Sequence, residues 1–563
     1  MSEVHDGATT TAAPAPPAAS PVFEGYRDAP SGTAGARAAD ELFGADGRPR
    51  AEWADLHRML QEMPATELRS RADQLASTFL DRGVTFDFAG EERPFPLDVV
   101  PRIIDAVQWE QVKRGVAQRV RVLEAFLADV YGPMAVVRDG VVPRRVITSS
   151  THFHRAAVGI EPAGGVRIHV AGIDLVRDEA GDFRVLEDNV RVPSGVSYVL
   201  ENRQAMTQSL PEAFEEYRVQ PVSDYPQDLL AALRAAAPDG VDDPNVVVLT
   251  PGVYNSAYFE HSLLARAMGV ELVEGRDLVC RNNRVFMRTT FGDRRVDVVY
   301  RRVDDEFLDP LHFRRDSVLG CAGILNAVRN GGVSLANAVG NGVADDKLVY
   351  TYVPELTKYY LGEELLLRNV PTYRMEVPDE REEALDRLHE LVVKPVDGSG
   401  GKGLVVCPDA SEREVEDLRR RVLADPRGWI AQPVVALSTV PTLAGSRLRP
   451  RHVDLRPFAV NDGSTVRVLS GGLTRVALRE GSLVVNSSQG GGSKDTWVLA
   501  DDELDPSAPV PHSETSMSRV PVPLEHHFSD VGPGAGHEEQ AQQQQQARHA
   551  RQQPRPEQEV TPC

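Results

Sequence analysis

Three oxygen-bearing side chains in one short stretch, Asp174, Glu187 and Asn189, are of the types that hold a hard divalent cation. They lie in VRIHVAGIDLVRDEAGDFRVLEDNV, residues 166–190. Two runs of alternating apolar residues flank the turn-forming DEAGD, so the stretch predicts a β-hairpin. With Ala180 and Gly181 as its two turn residues, Asp174 falls opposite Glu187 and Gly172 falls opposite Asn189. Asn189 is two residues beyond Glu187 and shares its face, whereas Asp188 points to the other. Such donors on a rigid sheet, with Gly172 leaving room for phosphate oxygens and water, suit Mg²⁺. By itself the hairpin also fits a solvated acidic face.

A second constellation follows about 200 residues later. In LVVKPVDGSGGKGLVVC, residues 391–407, Gly398, Gly400 and Gly403 match G-x-G-x-x-G, but a strand-like LVV follows where a dinucleotide fingerprint needs a helix. A Walker loop fails as well, because Gly403 follows Lys402 where Ser or Thr is required. What remains is strand, loop, strand. The loop of Gly398, Ser399, Gly400, Gly401 and Gly403 can fold over a triphosphate and donate backbone N–H groups. Lys394 just before it can reach an α- or β-phosphate. The other reading is a surface hairpin, although four glycines in six residues exceed what a turn needs.

Lys347 opens a helix-like stretch upstream. Downstream, RGWIAQPVVAL reads as an apolar strand around Gln432, either an adenine-edge segment or plain core. Arg456 and Arg475 sit inside apolar strands, where each needs an anionic partner. A phosphate and a structural carboxylate both satisfy that need. Lys494, in the glycine cluster NSSQGGGSKDTWVL, either caps a site or marks the end of a domain.

The elements that must position these residues are legible in outline. The 563-residue chain has ordinary globular composition and a net charge of −21, which disfavours wrapping nucleic acid or an anionic membrane. Its four cysteines form no CxxC pair, which argues against a disulfide framework or a zinc site. No apolar run is long enough to span a bilayer and no signal-peptide pattern opens the chain, so a cytoplasmic location is expected. Residues 1–35 and 503–563 read as disordered tails, the latter rich in Gln and Pro. Residues 36–144 read as mainly helical, with PLDVVPRIIDAVQWEQVKRGVAQRVRVLEAFLADVYG carrying apolar residues at three- and four-residue intervals. Residues 145–215 carry the acidic hairpin and a helix, 216–344 a βαβ pattern, and 345–502 mostly strands. The fold class is α+β / α/β.

Together, these motifs resemble the circularly permuted ATP-grasp proteins of type 2, similar to the synthetase part of glutathionylspermidine synthase. Ordinary ATP-grasp enzymes place the lysines and glycine loop first and the acidic motif last. Here Glu187-Asp188-Asn189 precedes Lys347, Lys394 and the loop. The resemblance covers roughly residues 40–500 and rests most on E-D-N-x-R-V-P-S-G and K-P-x-D-G-S-G-G-K-G. It implies a permuted ATP-grasp fold with a helical N-terminal segment, 145–215 as its metal-binding part, a Rossmann-like pre-ATP-grasp part over 216–344, and 345–502 as the nucleotide-binding part. It implies that Asp174, Glu187 and Asn189 hold Mg²⁺, that Lys347 and Lys394 contact the phosphates of ATP under the 398–403 loop, and that the adenine segment runs through Gln432.

The expected activity is an ATP- and Mg²⁺-dependent carboxylate–amine ligase acting through an acyl phosphate and joining small-molecule or peptide substrates. The alternatives are a phosphotransferase and a non-catalytic ATP-binding partner in a peptide-modifying system. One departure stands out. The relatives carry an arginine two residues before the first metal aspartate, where this chain has Gly172. Arg155, Arg191 and Arg203 are the candidates to take over that arginine's part with the substrate.

Overall fold

The computed structural model describes residues 21–29, 38–88, 91–398, 403–485 and 490–500. A seven-stranded mixed sheet forms its centre. Six strands run in the order Leu97–Ile104, Gly492–Val498, Val466–Val476, Arg447–Asn461, Val170–Arg177 and Phe183–Asn189, and Thr439–Ala444 pairs with the fourth. Strands from both ends of the ordered chain therefore meet in one sheet, and the acidic hairpin forms one edge of it.

The long helix runs over Ala106–Val130, capped by Asp105, whose side chain accepts from Gln108 N at 2.8 Å. Trp109, Val112, Val116, Val120, Leu123, Leu127 and Val130 recur at helical spacing and are buried. The pattern expected to be helical from residue 96 divides here, because Leu97–Ile104 is a strand. Val99, Val100, Ile103 and Ile104 are β-branched, and the segment has a parallel partner in Gly492–Val498 that only the folded chain supplies. Pro101 is tolerated because this is an edge strand with an irregular register.

A four-stranded parallel sheet, ordered Ser334–Ala336, Val298–Arg301, Val246–Leu249 and Glu271–Val273, builds the second layer. Its strands VVVL and VVYR are wholly buried, as strands covered on both faces must be. The helix Tyr258–Met268 connects two of them, which is the βαβ unit expected from the sequence. A small antiparallel sheet of Leu278–Arg281, Arg284–Thr289 and Gly292–Val296 is appended.

A third sheet, ordered Tyr373–Arg374, Trp429–Pro433, Leu391–Pro395 and Val405–Val406, carries the nucleotide-side motifs. The helices Pro378–Asp386 and Glu412–Ala424 contribute Ala384, Leu385, Leu418 and Val422 to the apolar cluster that also holds Leu391, Val393 and Ala431 of this sheet. Among the described residues no helix is long and apolar enough to cross a membrane.

Candidate active site

In the acidic hairpin Asp174 pairs with Glu187 and Gly172 with Asn189, as expected, but through a different turn. Arg177 pairs with Phe183, so the loop is the five residues 178–182, closed by Asp178 N donating to Asp182 O at 3.0 Å. Gly181 adopts φ +88° there. Counted from that loop alone, Asp174 would oppose Leu186. A β-bulge between the Asp174 and Leu175 pairings restores the register. The extra residue brings Glu187 to Asp174, so that both line one cleft together with Leu186.

Asp188 faces the other way, fully buried, and its Oδ2 accepts from Arg119 Nη2 at 2.8 Å. That pair anchors the hairpin to the long helix. Asn337, at the end of a parallel strand, ties the hairpin down from the other side. Its Oδ1 accepts from His169 N at 2.8 Å and Val170 N at 2.9 Å, and its Nδ2 donates to Val170 O and Val190 O, both at 2.7 Å. The start of one hairpin strand and the end of the other are thus held by one side chain.

The space expected above Gly172 is filled. A Cβ at that position would lie 3.1 Å from Pro193 Cβ and 3.2 Å from Arg456 Cδ. Arg456, from the neighbouring strand, brings its guanidinium across this gap to Asp174, Nε to Oδ1 and Nη2 to Oδ2 at 2.8 Å. Arg475 Nη2 donates to the same Oδ2 at 2.7 Å and also holds Asp454. Burial alone would raise the Asp174 pKa, but Arg456 and then Arg475 outweigh it and hold the carboxyl well below the usual carboxylate range. Glu187 is freer: Lys347 Nζ stands 3.3 Å from its Oε2, and Arg456 Nη2 stands 4.0 Å from its Oε1. Asn189 Nδ2 has no hydrogen-bond partner among the described residues.

The cleft opposite these groups is partly open to solvent. Asp174, Glu187, Asp454 and Arg475 line one side, and Val392, Lys394, Val406 and Gln432 the other. Lys347 enters from a short helix whose N-cap Asp346 is gripped by Arg427 at 2.6 Å, while Lys347 N donates to Val396 O at 3.0 Å. Its ammonium donates to Gly398 O. Lys394 Nζ donates to Gln432 Oε1 at 2.7 Å, and Gln432 Nε2 is in turn fixed by Thr372 Oγ1 at 2.9 Å. Burial, reinforced by the neighbouring Lys347 charge, lowers the Lys394 pKa to about 8 against the opposing pull of Glu187 and Asp174. One end of the cleft is apolar, built by Pro433, Val434, Val435 and Leu437 together with Leu483, Val484 and Val485.

The remaining expectations divide. Gly403 is in place with φ +75°, whereas Ser399, Gly400 and Gly401 lie outside the described residues. Arg191 lies just past Asn189 with loose ion pairs, 3.6 Å to Asp304 and 3.9 Å to Asp345. Arg203 is buried and spent on Asp495 Oδ2 at 2.9 Å, Gln220 O and Thr496 O, both at 2.7 Å. Arg155 is exposed on a single turn and does not line the cleft. Lys494 is fully buried, donating to Asp98, Val100 O and Pro441 O, so it closes the central sheet and caps no site. Asp454 escaped the sequence reading, although it precedes Arg456 by two residues on one strand face. Nothing in the sequence singled out Asn337.

The fold and cleft define a permuted ATP-grasp enzyme, and the comparisons agree. The model of the family described as circularly permuted ATP-grasp type 2 matches residues 101–477, and the chain belongs to that family. It is an ATP-dependent ligase of the ATP-grasp class. It is 58% identical to an uncharacterised protein of Mycobacterium tuberculosis over 525 residues, covering 92% of this chain and 94% of that one. It is 46% identical over 469 residues to a Frankia casuarinae protein provisionally named glutamate–cysteine ligase 2-2; the match covers 82% of this chain and 53% of that longer one. A glutathione synthetase-like effector from Globodera pallida, solved in its apo form, superposes with a TM-score of 0.52 at 12% identity, over 78% of this chain and 98% of that one, a likeness of fold alone.

Proposed function

We propose that this protein forms an amide bond between a small-molecule or peptide carboxylate and an amine, activating the carboxylate as an acyl phosphate at the expense of ATP. The observation that carries this reading is one cleft lined by Glu187, Asp174, Lys347 and Lys394, with Lys347 3.3 Å from Glu187, and apolar at one end. On this reading Lys347 and Lys394, which line the cleft, hold phosphate oxygens, and the backbone beside Gln432 with Val434 and Val435 takes an adenine ring. Glu187 and Asn189 would be the oxygen donors for Mg²⁺, with nucleotide and water supplying the other positions, and Asp174 would join them only on giving up one of its arginine hydrogen bonds. Among the described residues no group of three or more His, Cys, Asp or Glu side chains is arranged to hold a metal ion. When bound, Mg²⁺ would offset negative charge on the phosphates.

Arg456 takes the part that the resemblance to glutathionylspermidine synthase implies for an arginine at position 172. Its Cγ and Cδ methylenes occupy the volume above Gly172, and its guanidinium touches Asp174 and approaches Glu187. With a carboxylate and a phosphate brought together there, Arg456 stabilises the charge that builds as oxygen attacks phosphorus. Arg475 keeps Asp174 ionised meanwhile. None of the three arginines expected to position the substrate lines the cleft; Arg191 has the loosest ion pairs, while Arg203 is committed to Asp495 and Arg155 is exposed. The Frankia relative's name supports carboxylate–amine chemistry in association with this kind of chain, although that name belongs to a protein about twice as long as the matched part.

Product analysis tests the reading. Incubation with ATP, pooled carboxylates and pooled amines is expected to give ADP and a new amide in equal amounts. A stable phosphorylated product formed without any amine would instead make the protein a phosphotransferase.

A further inference from the structure

Cys280 and Cys321 are 41 residues apart in the chain, and nothing in the sequence pairs them. The fold brings their sulfurs to 3.4 Å. Cys280 lies on the strand Leu278–Arg281 of the small antiparallel sheet and is half-buried. Cys321 is buried in the segment that leads into the helix Ile324–Arg329. That segment is held firmly: Cys321 N donates to Leu308 O at 2.9 Å, and the Asp309 carboxylate accepts from Gly323 N and Leu325 N, both at 3.0 Å. Gly323 sits at φ +87°, where an added Cβ would meet Cys280 Cβ at 3.4 Å, so the two segments are packed face to face. Neither cysteine lines the nucleotide cleft.

We infer that Cys280 and Cys321 form a reversible dithiol–disulfide site, oxidised by small-molecule disulfides, that fastens the small antiparallel sheet to the segment preceding the helix Ile324–Arg329. A disulfide needs its sulfurs at about 2.05 Å. Closing 3.4 Å to that distance takes side-chain rotation and a small approach of two segments already in contact. The two thiols have different parts. Cys280, the more exposed, meets the incoming disulfide, and the hydrogen bond from Cys321 lowers its pKa and favours its thiolate. Its sulfur attacks one sulfur of the small disulfide. The S–S bond breaks, and the departing thiolate takes up the proton that Cys280 gave up. The Cys321 sulfur then attacks Cys280 Sγ in the mixed disulfide, releasing the second small thiol with the proton from Cys321. Two thiols and one disulfide become one disulfide and two thiols, and the oxidant gains the two electrons the protein loses.

The experiment uses the full chain with oxidised glutathione as probe, read by intact mass and by a peptide digest without reductant. Wild type is expected to lose the mass of two hydrogens, to yield one linked peptide joining Cys280 to Cys321, and to regain both thiols with dithiothreitol. Cys321→Ser is expected to stop at a single glutathionyl adduct on Cys280, and Cys280→Ser to gain neither adduct nor link at these positions. The oxidised wild type should also unfold at a higher temperature than the reduced, because the link closes a loop in the unfolded chain. Wild-type protein that keeps both thiols free under oxidant, or that links either of them to Cys407 or Cys563 instead, overturns the inference. The wild-type result decides even if a serine variant folds poorly.

Discussion

Arg456→Ala separates the arginine proposed to act on the reacting phosphate from the arginine that merely holds the carboxylate. Arg456 gives two hydrogen bonds to Asp174 and a third, from Nη1, to Ser194 O at 3.2 Å. Removing it leaves Asp174 with Arg475, which still donates at 2.7 Å, so the buried carboxylate does not become an unpaired charge. Breaking a buried pair outright costs about 3–5 kcal/mol. With one arginine remaining, the loss should approach that of hydrogen bonds to a charged group, about 1.5–3 kcal/mol. The fold survives such a loss, with a melting midpoint lower by a few degrees. Turnover should respond far more strongly. A side chain that stabilises developing charge is worth about 10²–10³ in kcat. The assay is ATP-dependent ADP release at saturating nucleotide, with the melting midpoint measured on the same samples. Arg456→Ala protein that is folded and turns over at the wild-type rate refutes the reasoning. Arg456→Lys, which keeps the charge but loses the fork, should recover stability better than rate.

Three further outcomes follow. The Lys394 pKa is lowered to about 8, so the free enzyme loses this positive charge as pH rises through that value, and the apparent KM for ATP is expected to climb above pH 8. Lys394→Arg should flatten that profile, and a profile unchanged by the substitution would count against a phosphate contact. The same shift bears on stability: between pH 8 and the ordinary lysine range the unfolded chain binds the proton that the native chain has released, so the destabilisation caused by burying this ammonium is full below pH 8 and is relieved on going above it. Asn337→Ala removes four buried hydrogen bonds from the hairpin and is expected to cost about 3 kcal/mol or more, read by denaturant unfolding, since each stranded buried group costs about 1–3 kcal/mol. A loss below about 1 kcal/mol would mean that the hairpin is held by its strand pairing alone. Arg191→Glu is expected to raise the substrate KM while leaving ATP binding near wild type, and unaltered turnover would remove Arg191 from the substrate site.

Much of this site is legible in the residues, and the illegible part has physical causes. Lys394, the glycine loop and the acidic hairpin are local patterns, so their order along the chain is enough to recognise the permutation. The Asp174–Glu187 pairing was reached from a two-residue turn, whereas the chain uses a five-residue loop and a bulge that compensate each other. A bulge leaves no mark in hydrophobic alternation when the residue added, here Leu186, is itself apolar. Arg456 shows a second limit. That it fills the room left by Gly172 depends on strand Arg447–Asn461 lying beside Val170–Arg177, a pairing across nearly 300 residues that no spacing reveals. The strand Leu97–Ile104 shows a third, because its apolar residues fit a helix until the distant partner strand is known.

The most direct test of the central claim is ADP release in the presence of pooled carboxylates and amines, with wild type run beside Glu187→Gln and Lys394→Ala. The cleft geometry predicts release that depends on both substrate pools and on Mg²⁺ in wild type. It predicts a fall of about 10²-fold or more in each variant, the scale of losing one charge-stabilising group. Both variants retaining full wild-type release would contradict the account.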